Sequence, residues 1–411
     1  MTEKGKNTPT VRFKGFCDDW EQRKLGEIAE IIGGGTPSTN NPSYWDGDID
    51  WYAPAEIGER IFANGSIRKI TKEGLNHCSA KILPAYKTVL FTSRAGIGKM
   101  AILQHPATTN QGFQSLVCHN DIAPYFVFSM GKNIKAGAER VAAGSTFAEI
   151  SGKTLSNLEF MFPNTAEQQA IGACFKNIDM LITLHQRQLD EQKALKKYFL
   201  QNMFPAKGEK VPRIRFQGFT DDWEERKLGE LVIIERGGSP RPIDAYITDA
   251  QDGLNWVKIG DAPEQGRYIT HTEEKIKPSG LSKTRQVFQG DLILSNSMSF
   301  GKPYIMGIQG CIHDGWLLIR NNQNVFDLKF LCQMLGTEQM LAQYRQLAAG
   351  STVNNLNKEL VSNAIVKVPR KAEQEKIGTF LESIDNVITL HQRQLTQLQA
   401  VKKFMLQNLF V

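Results

Sequence analysis

Residues Ala166 to Phe204 read AEQQAIGACFKNIDMLITLHQRQLDEQKALKKYFLQNMF, and residues Ala372 to Phe410 read AEQEKIGTFLESIDNVITLHQRQLTQLQAVKKFMLQNLF. The second stretch repeats the first at an offset of 206, with more than half of its residues unchanged. Ile182 to Leu189 recur intact as Ile388 to Leu395. Apolar residues step by three and four: Ile171, Phe175, Ile178, Ile182 and Leu189 in one copy, Ile377, Leu381, Ile384, Ile388, Leu395, Leu398, Met405 and Leu409 in the other. Such spacing lines one stripe of a long helix with coiled-coil character. A stripe of this kind needs a partner, and the simplest partner is the other copy. His185 and His391 occupy matching positions on it, which predicts a buried, hydrogen-bonded pair.

Working outward, the repeat reaches far beyond the helices. Val11 to Phe16, Asp18-Asp19-Trp20 and Lys24 to Glu27 return as Ile214 to Phe219, Asp221-Asp222-Trp223 and Lys227 to Glu230, at an offset of 203. Ala142 to Thr146 return as Ala348 to Thr352 at 206. Two units make a duplication rather than a solenoid. The boundaries that follow are a first domain over 1–163, its helix over 164–204, a linker over 205–213, a second domain over 214–369 and its helix over 370–411. Pro163 and Pro369 close each body, with Glu167 and Glu373 starting the helices. Each body reads as short strands and turns: Thr88 to Thr92 and Val287 to Ser295 as strands, Asp121 to Lys132 and Asp327 to Gly336 as short helices. The fold class expected is α+β, two tandem mixed α/β domains, each followed by a long helix, the helices pairing as an antiparallel coiled coil. At 1.5 Å per residue such a helix is roughly 50 Å long, a natural ruler between two heads.

The ends of each unit are nearly copied, whereas the middles, about Asn40 to His105 and Asp244 to Gln309, have diverged. A kept frame with a changed centre suggests two grips for different targets. Drift of loop-rich surfaces is the competing explanation.

Bulk properties narrow the class. With 41% hydrophobic and 22% charged residues, the 411-residue chain has the balance of a soluble protein, large enough for two cores. No apolar run is long enough for a bilayer, and Met1 to Thr10 is too polar for a signal peptide. Six scattered cysteines without a CxxC pair point to a reduced, cytoplasmic protein without structural zinc. A net charge of +6 and a pI of about 8.8 permit a nucleic-acid partner.

Catalytic motifs fail one by one. Asn41-Pro42-Ser43-Tyr44 resembles an adenine methyltransferase motif, but no apolar strand precedes it and no glycine-rich cofactor loop accompanies it. Gly96-Ile97-Gly98-Lys99 lacks the earlier glycine and the following hydroxyl of a phosphate-binding loop. The histidines show no metal-ligand spacing. What remains are polar loops that suit phosphate oxygens and base edges. The candidates are Thr36, Ser93, Arg94, Lys99, Gln111, Ser145 and Thr146 in the first unit, and Ser239, Arg241, Ser295, Asn296, Ser297, Lys302, Ser351, Thr352 and Asn354 in the second. Placing Ser93-Arg94 on Ser295-Asn296 exchanges arginine for asparagine, side chains that favour guanine and adenine respectively.

The ordered set resembles the specificity subunits of type I restriction–modification systems over essentially the whole chain. It comprises Trp20 to Glu27, Gly34-Gly35-Thr36-Pro37-Ser38, Thr92-Ser93-Arg94 with Gly96 to Lys99, Asn110 to Phe113, Gly144 to Phe147 and Ala166 to Gln169. The second unit departs at Arg236, in place of the first loop glycine, and at His313-Asp314-Gly315, in place of Asn-Gln-Gly. The resemblance implies two target-recognition domains, each reading half of a bipartite, asymmetric site on double-stranded DNA. It implies a chain without an active site or cofactor of its own. Its partners would be two methyltransferase subunits using S-adenosylmethionine and two restriction subunits using ATP and Mg²⁺, with no membrane. A self-contained methyltransferase or nuclease, and a purely structural coiled-coil adaptor, are the alternatives.

Overall fold

The computed structural model describes residues 7–58, 60–94, 96–142, 149–296, 301–348 and 356–411. The chain forms two compact units, one of residues 1–184 with 396–411, the other of residues 185–395.

In chain order the first unit contains β1 (Glu21–Lys24), α1 (Leu25–Ile28), β2 (Ala29–Gly33), β3 (Trp45–Tyr52), β4 (Phe62–Ala63), β5 (Arg68–Ile70) and α2 (Lys72–Asn76). There follow β6 (Thr88–Phe91), β7 (Met100–Leu103), β8 (Thr108–Thr109), β9 (Gln114–Cys118), α3 (Pro124–Ser129), α4 (Gly131–Ala142), α5 (Gly152–Ser156), β10 (Glu159–Phe162) and the start of α6 (Thr165–Asn202). A five-stranded sheet in the order β2-β9-β6-β7-β4 carries the main core, and a three-stranded sheet, β5-β3-β8, lies apart from it in the pairing order. Runs such as Thr88-Val89-Leu90-Phe91 are buried on both faces, which is why they lack the alternation of a half-exposed strand. β1 and β10 pair separately, bringing the start of the domain to the start of its helix.

The second unit repeats the plan with β11 (Glu224–Lys227), α7 (Leu228–Leu231), β12 (Ile233–Arg236), β13 (Leu254–Val257), β14 (Tyr268–Ile269), β15 (Glu274–Ile276), β16 (Arg285–Val287) and β17 (Leu292–Ser295). Then come β18 (Pro303–Met306), β19 (Gly310–Ile312), β20 (Trp316–Arg320), α8 (Leu328–Leu335), α9 (Glu338–Ala348), α10 (Lys358–Ser362), β21 (Ile365–Val368) and α11 (Lys371–Asn408). Its larger sheet runs β12-β20-β17-β18-β14, the same order as in the first unit. Its smaller sheet, β15-β13-β19-β16, gains one strand. The diverged middles therefore share one topology.

Several sequence expectations shift. Val287 to Ser295 is two strands, separated by a turn in which Gly290 takes φ +91 and Asp291 caps Phe288. Asp121 to Lys132 is split between α3 and α4, and each long helix begins two residues before its glutamate.

The sequence Ala-Glu-Gln at each helix start has a structural reason. Glu167, fully buried, accepts two bonds from the Arg12 guanidinium at 2.7 Å, and Glu373 accepts the same fork from Arg215. The neighbouring Gln168 and Gln374 donate to Pro163 O and Pro369 O, satisfying carbonyls that the helix leaves behind. A carboxylate in the first turn also faces the positive end of the helix dipole.

Within the first unit the early part of α6 runs antiparallel to the end of α11: Phe175 stacks on Phe410, and Asp179 binds Lys402. Within the second unit the late part of α6 runs antiparallel to the early part of α11, with Lys196 bound to Asp385 and Phe199 edge-on to Phe380. Ile171, Phe175, Leu189, Ile377, Leu381, Ile388 and Leu395 are buried, as the stripe requires. His185 and His391 meet Nδ1 to Nδ1 at 3.1 Å but are half-buried rather than enclosed. Among the described residues no helix is long and apolar enough to cross a membrane.

Candidate nucleic-acid interface

Three loops that are distant in sequence converge at one end of each larger sheet. In the first unit they are the loop after β2 (Gly34 to Thr36), the β6–β7 loop (Thr92 to Lys99) and the β8–β9 loop (Asn110 to Gly112). Gly35 N donates to Thr109 O at 2.8 Å and Ser93 N to Gly112 O at 2.8 Å, tying the three together. Thr92 closes its own loop, accepting Lys99 N at its hydroxyl and donating that hydroxyl to Gly96 O. Gly112 N is held by the Asn110 side chain at 2.8 Å. The second unit reproduces this frame. Ser295 Oγ accepts Lys302 N, Asn296 N donates to Gly315 O, and Gly315 N is held by His313 Nδ1 at 2.9 Å. His313 thus does with an imidazole what Asn110 does with an amide.

The glycine pair is required by close approach. A Cβ on Gly34 would lie 2.0 Å from Asn110 O, and one on Gly237 2.2 Å from His313 O. The preceding position is free of this demand, since a Cβ on Gly33 meets nothing nearer than 3.5 Å. Arg236 therefore replaces that glycine without disturbing the frame.

These bonds fix the true alignment of the β6–β7 loops. Thr92 corresponds to Ser295, so Ser93 corresponds to Asn296, and Arg94, by count, to Ser297. The exchange of arginine for asparagine expected from the sequence is thereby corrected. Ser93, Ser295 and Asn296 are buried, and Asn296 Nδ2 is used on Asp314 O, so these three shape the loop from beneath. Lys99, Gln111, Arg241 and Lys302 are exposed, and Thr36, Arg94 and Ser239 are half-buried. Ser145, Thr146, Ser297, Ser351, Thr352 and Asn354 lie outside the described residues. The segments following them do return to the cluster: Ile150 N donates to Ser93 O, and Leu356 N to Asn296 O.

On this shared frame the exposed chemistry differs. The first unit joins the Thr36 hydroxyl to the Gln111 amide, a neutral pair. The second joins Ser239 to the Asp314 carboxylate at 3.0 Å, with His313 Nε2 at 3.0 Å and Arg241 at 3.9 Å from the same carboxylate. Asp314 is the centre of this cluster, and the sequence reading had not placed it among the contacts. Its signal was its position opposite Gln111. Beneath the first cluster, burial pushes the Tyr52 phenol up to about 12 while its oxygen accepts Gly65 N. Among the described residues no group of His, Cys, Asp and Glu could hold a metal ion.

The chain is thus a duplicated domain whose three loops present polar side chains on a common backbone frame. The family model for the type I restriction modification DNA specificity domain matches residues 17–193 and again 220–400. The chain belongs to that family. It is 32% identical over 250 residues to the MjaIX specificity subunit of Methanocaldococcus jannaschii, covering 57% of this chain and 56% of that protein. Identity is again 32% over 169 residues to a type I restriction enzyme specificity subunit of Escherichia coli, covering 39% and 41%. The chain thus spans about half the length of these two relatives. The MjaVIII subunit of M. jannaschii aligns over 94% of this chain and 91% of its own length, at 22% identity. The crystal structure of the S subunit of a type I system from M. genitalium superimposes with a TM-score of 0.64 at 15% identity, covering 98% and 99% of the two chains. That likeness concerns the fold.

Proposed function

We propose that each unit reads one half of a bipartite, asymmetric site on double-stranded DNA, and that the chain directs two methyltransferase and two restriction subunits to that site. The observation that carries this reading is the same loop frame bearing different side chains, Thr36 with Gln111 against Ser239 with Asp314 and Arg241. Glutamine suits adenine, and a carboxylate accepts from cytosine N4, so the two clusters favour different bases. The chain supplies recognition only. S-adenosylmethionine, ATP and Mg²⁺ act on partner subunits, in the cytoplasm.

A docking face for the methyltransferase subunits is also duplicated. Leu181, Leu184, Val401 and Phe404 are exposed on the helix segments of the first unit, and Leu195, Tyr198, Val387 and Leu390 on those of the second. These four pairs stand at the offset of 206, so each unit offers the same apolar side chains, or close equivalents, to one of two identical partners.

The test is long-read mapping of methylated adenines in cells expressing the chain with its methyltransferase. Two short sequences separated by a fixed unread gap are expected. Gln111→Ala should relax one half and Asp314→Asn the other. Disturbance of both halves by each variant would refute the division of labour.

A further inference from the structure

Between β4 and β5 the tip Asn64-Gly65-Ser66-Ile67 carries an isoleucine that is 86% exposed. The tip is fastened rather than loose. Gly65 N donates to the Tyr52 hydroxyl at 2.7 Å, Ile67 N to Glu56 Oε2 at 2.7 Å, and Trp51 N to Ser66 Oγ at 2.9 Å. Glu56 also holds Ala53 N, and the adjoining Pro54 packs on Gly112 of the β8–β9 loop. The tip therefore stands beside the loop cluster on a fixed mount. Arg68 and Lys69, both exposed, follow it, with the Arg68 guanidinium held 3.6 Å over the Trp45 ring.

The second unit keeps the mount and changes the tip. Asp261 there holds Lys258 N and Glu273 N as Glu56 holds Ala53 N and Ile67 N. Ile67-Arg68-Lys69 thus corresponds to Glu273-Glu274-Lys275. A retained scaffold on which Ile67-Arg68 gives way to Glu273-Glu274, while the lysine after them is kept, marks a position varied for contact. Lys69 is paired with Asp50 at 3.4 Å, and the exposed Arg68 beside an aliphatic side chain suits a phosphate-lined groove, where an aliphatic group packs on a thymine methyl or wedges against a base step. Glu273 sets a carboxylate before the same surface, and Glu274 is already paired with Lys258 at 2.7 Å.

We propose that the Asn64–Lys69 tip is a second DNA-contacting element of the first unit, with Ile67 entering the groove beside its half-site, and that the second unit lacks such an element. The proposal rests on the half-site reading above. The assembled complex with its methyltransferase subunits is titrated with fluorescent duplexes bearing the mapped site, base pairs beside the first half-site being varied. Ile67→Ser should weaken binding about tenfold, as loss of a buried aliphatic contact does. It should leave the salt slope unchanged, because no phosphate contact is removed, and abolish preference among the varied base pairs. Glu273→Ser should alter affinity by less than about twofold, well below the cost of such a contact. If Ile67→Ser binds like the wild type while Gln111→Ala is weakened, the tip contact is overturned and the half-site reading stands. If the wild type fails to prefer the mapped duplex over a scrambled one, both fall.

Discussion

The Asp179 carboxylate lies 2.5 Å from Lys402 Nζ, and their equivalents in the other copy, Asp385 and Lys196, also meet. Asp179 is almost fully buried and accepts a further bond from the Tyr125 hydroxyl at 2.7 Å. In the second unit burial pushes the Lys196 ammonium down from its ordinary value, with Arg267 adding to the effect and Asp385 opposing it. Each pair joins one helix to the other at a single register.

Removing one partner strands a buried charge. Lys402→Met should destabilise the first unit by about 3 kcal/mol, whereas the double change Asp179→Asn with Lys402→Met should lose less. The asparagine carries no charge and still accepts from Tyr125. Urea unfolding of both variants measures the difference. A double variant as weak as the single one would show that the charge is not the cost.

The Arg12–Glu167 fork is geometric as well as electrostatic. Arg12→Lys keeps the charge but cannot donate two parallel bonds from one planar group. We expect it to cost about 2 kcal/mol, and Arg12→Ala about 3 kcal/mol. Thermal unfolding would register both, and Arg215→Lys should behave alike in the second unit.

The two loop glycines give a sharp contrast. Gly34→Ala forces a Cβ against Asn110 O and should cost about 2 kcal/mol or more, together with reading of the first half-site. Gly33→Ala meets only Gln114 at 3.5 Å and should be tolerated. Methylation mapping and unfolding of the two variants check this.

Burial raises the thiols of Cys118, Cys311 and Cys332 to about 12, 11 and 11, from an ordinary value near 9. Above pH 9 the unfolded chain sheds these protons while the folded chain keeps them. Their stabilising contribution is therefore complete below pH 9 and falls away as pH rises towards 11 to 12. The urea midpoint should decline over that window, and Cys332→Ala should make the decline shallower. At neutral pH a thiol reagent should react fastest at Cys17, which is exposed.

The helices were legible because both copies of a stripe such as Ile377, Leu381 and Ile384 obey one period, and the period alone demands a partner. The polar loops were legible as places. Their register was easily mistaken, because Ser93 and Ser295 share a side chain, although Gly98-Lys99 and Gly301-Lys302 stand at the offset of 203 and set Thr92 on Ser295. The fold supplies the reason: the Thr92 and Ser295 hydroxyls each accept a backbone amide from seven residues on. The edge strands β4 and β8 were hidden for another reason. Strands of two residues, Phe62–Ala63 and Thr108–Thr109, pair with distant parallel partners and are too short to carry a period. Ile67 reads as an unremarkable aliphatic residue until its exposure and its mount are seen.

Val11 N donates to Asn408 O at 3.0 Å, and Ile214 N donates to Asn202 O at 2.9 Å. Trp20 N and Trp223 N likewise reach back to Asn7 O and Lys210 O. The first unit thus receives the end of α11 as the second receives the end of α6. A permuted chain with Val411 joined to Met1 and a cut between the exposed residues Lys207 and Gly208 gives up one backbone bond, Glu209 N to Ala206 O. It should fold and direct methylation to the same site. Which of the two recognition units is made first is then a matter of gene order, not of architecture.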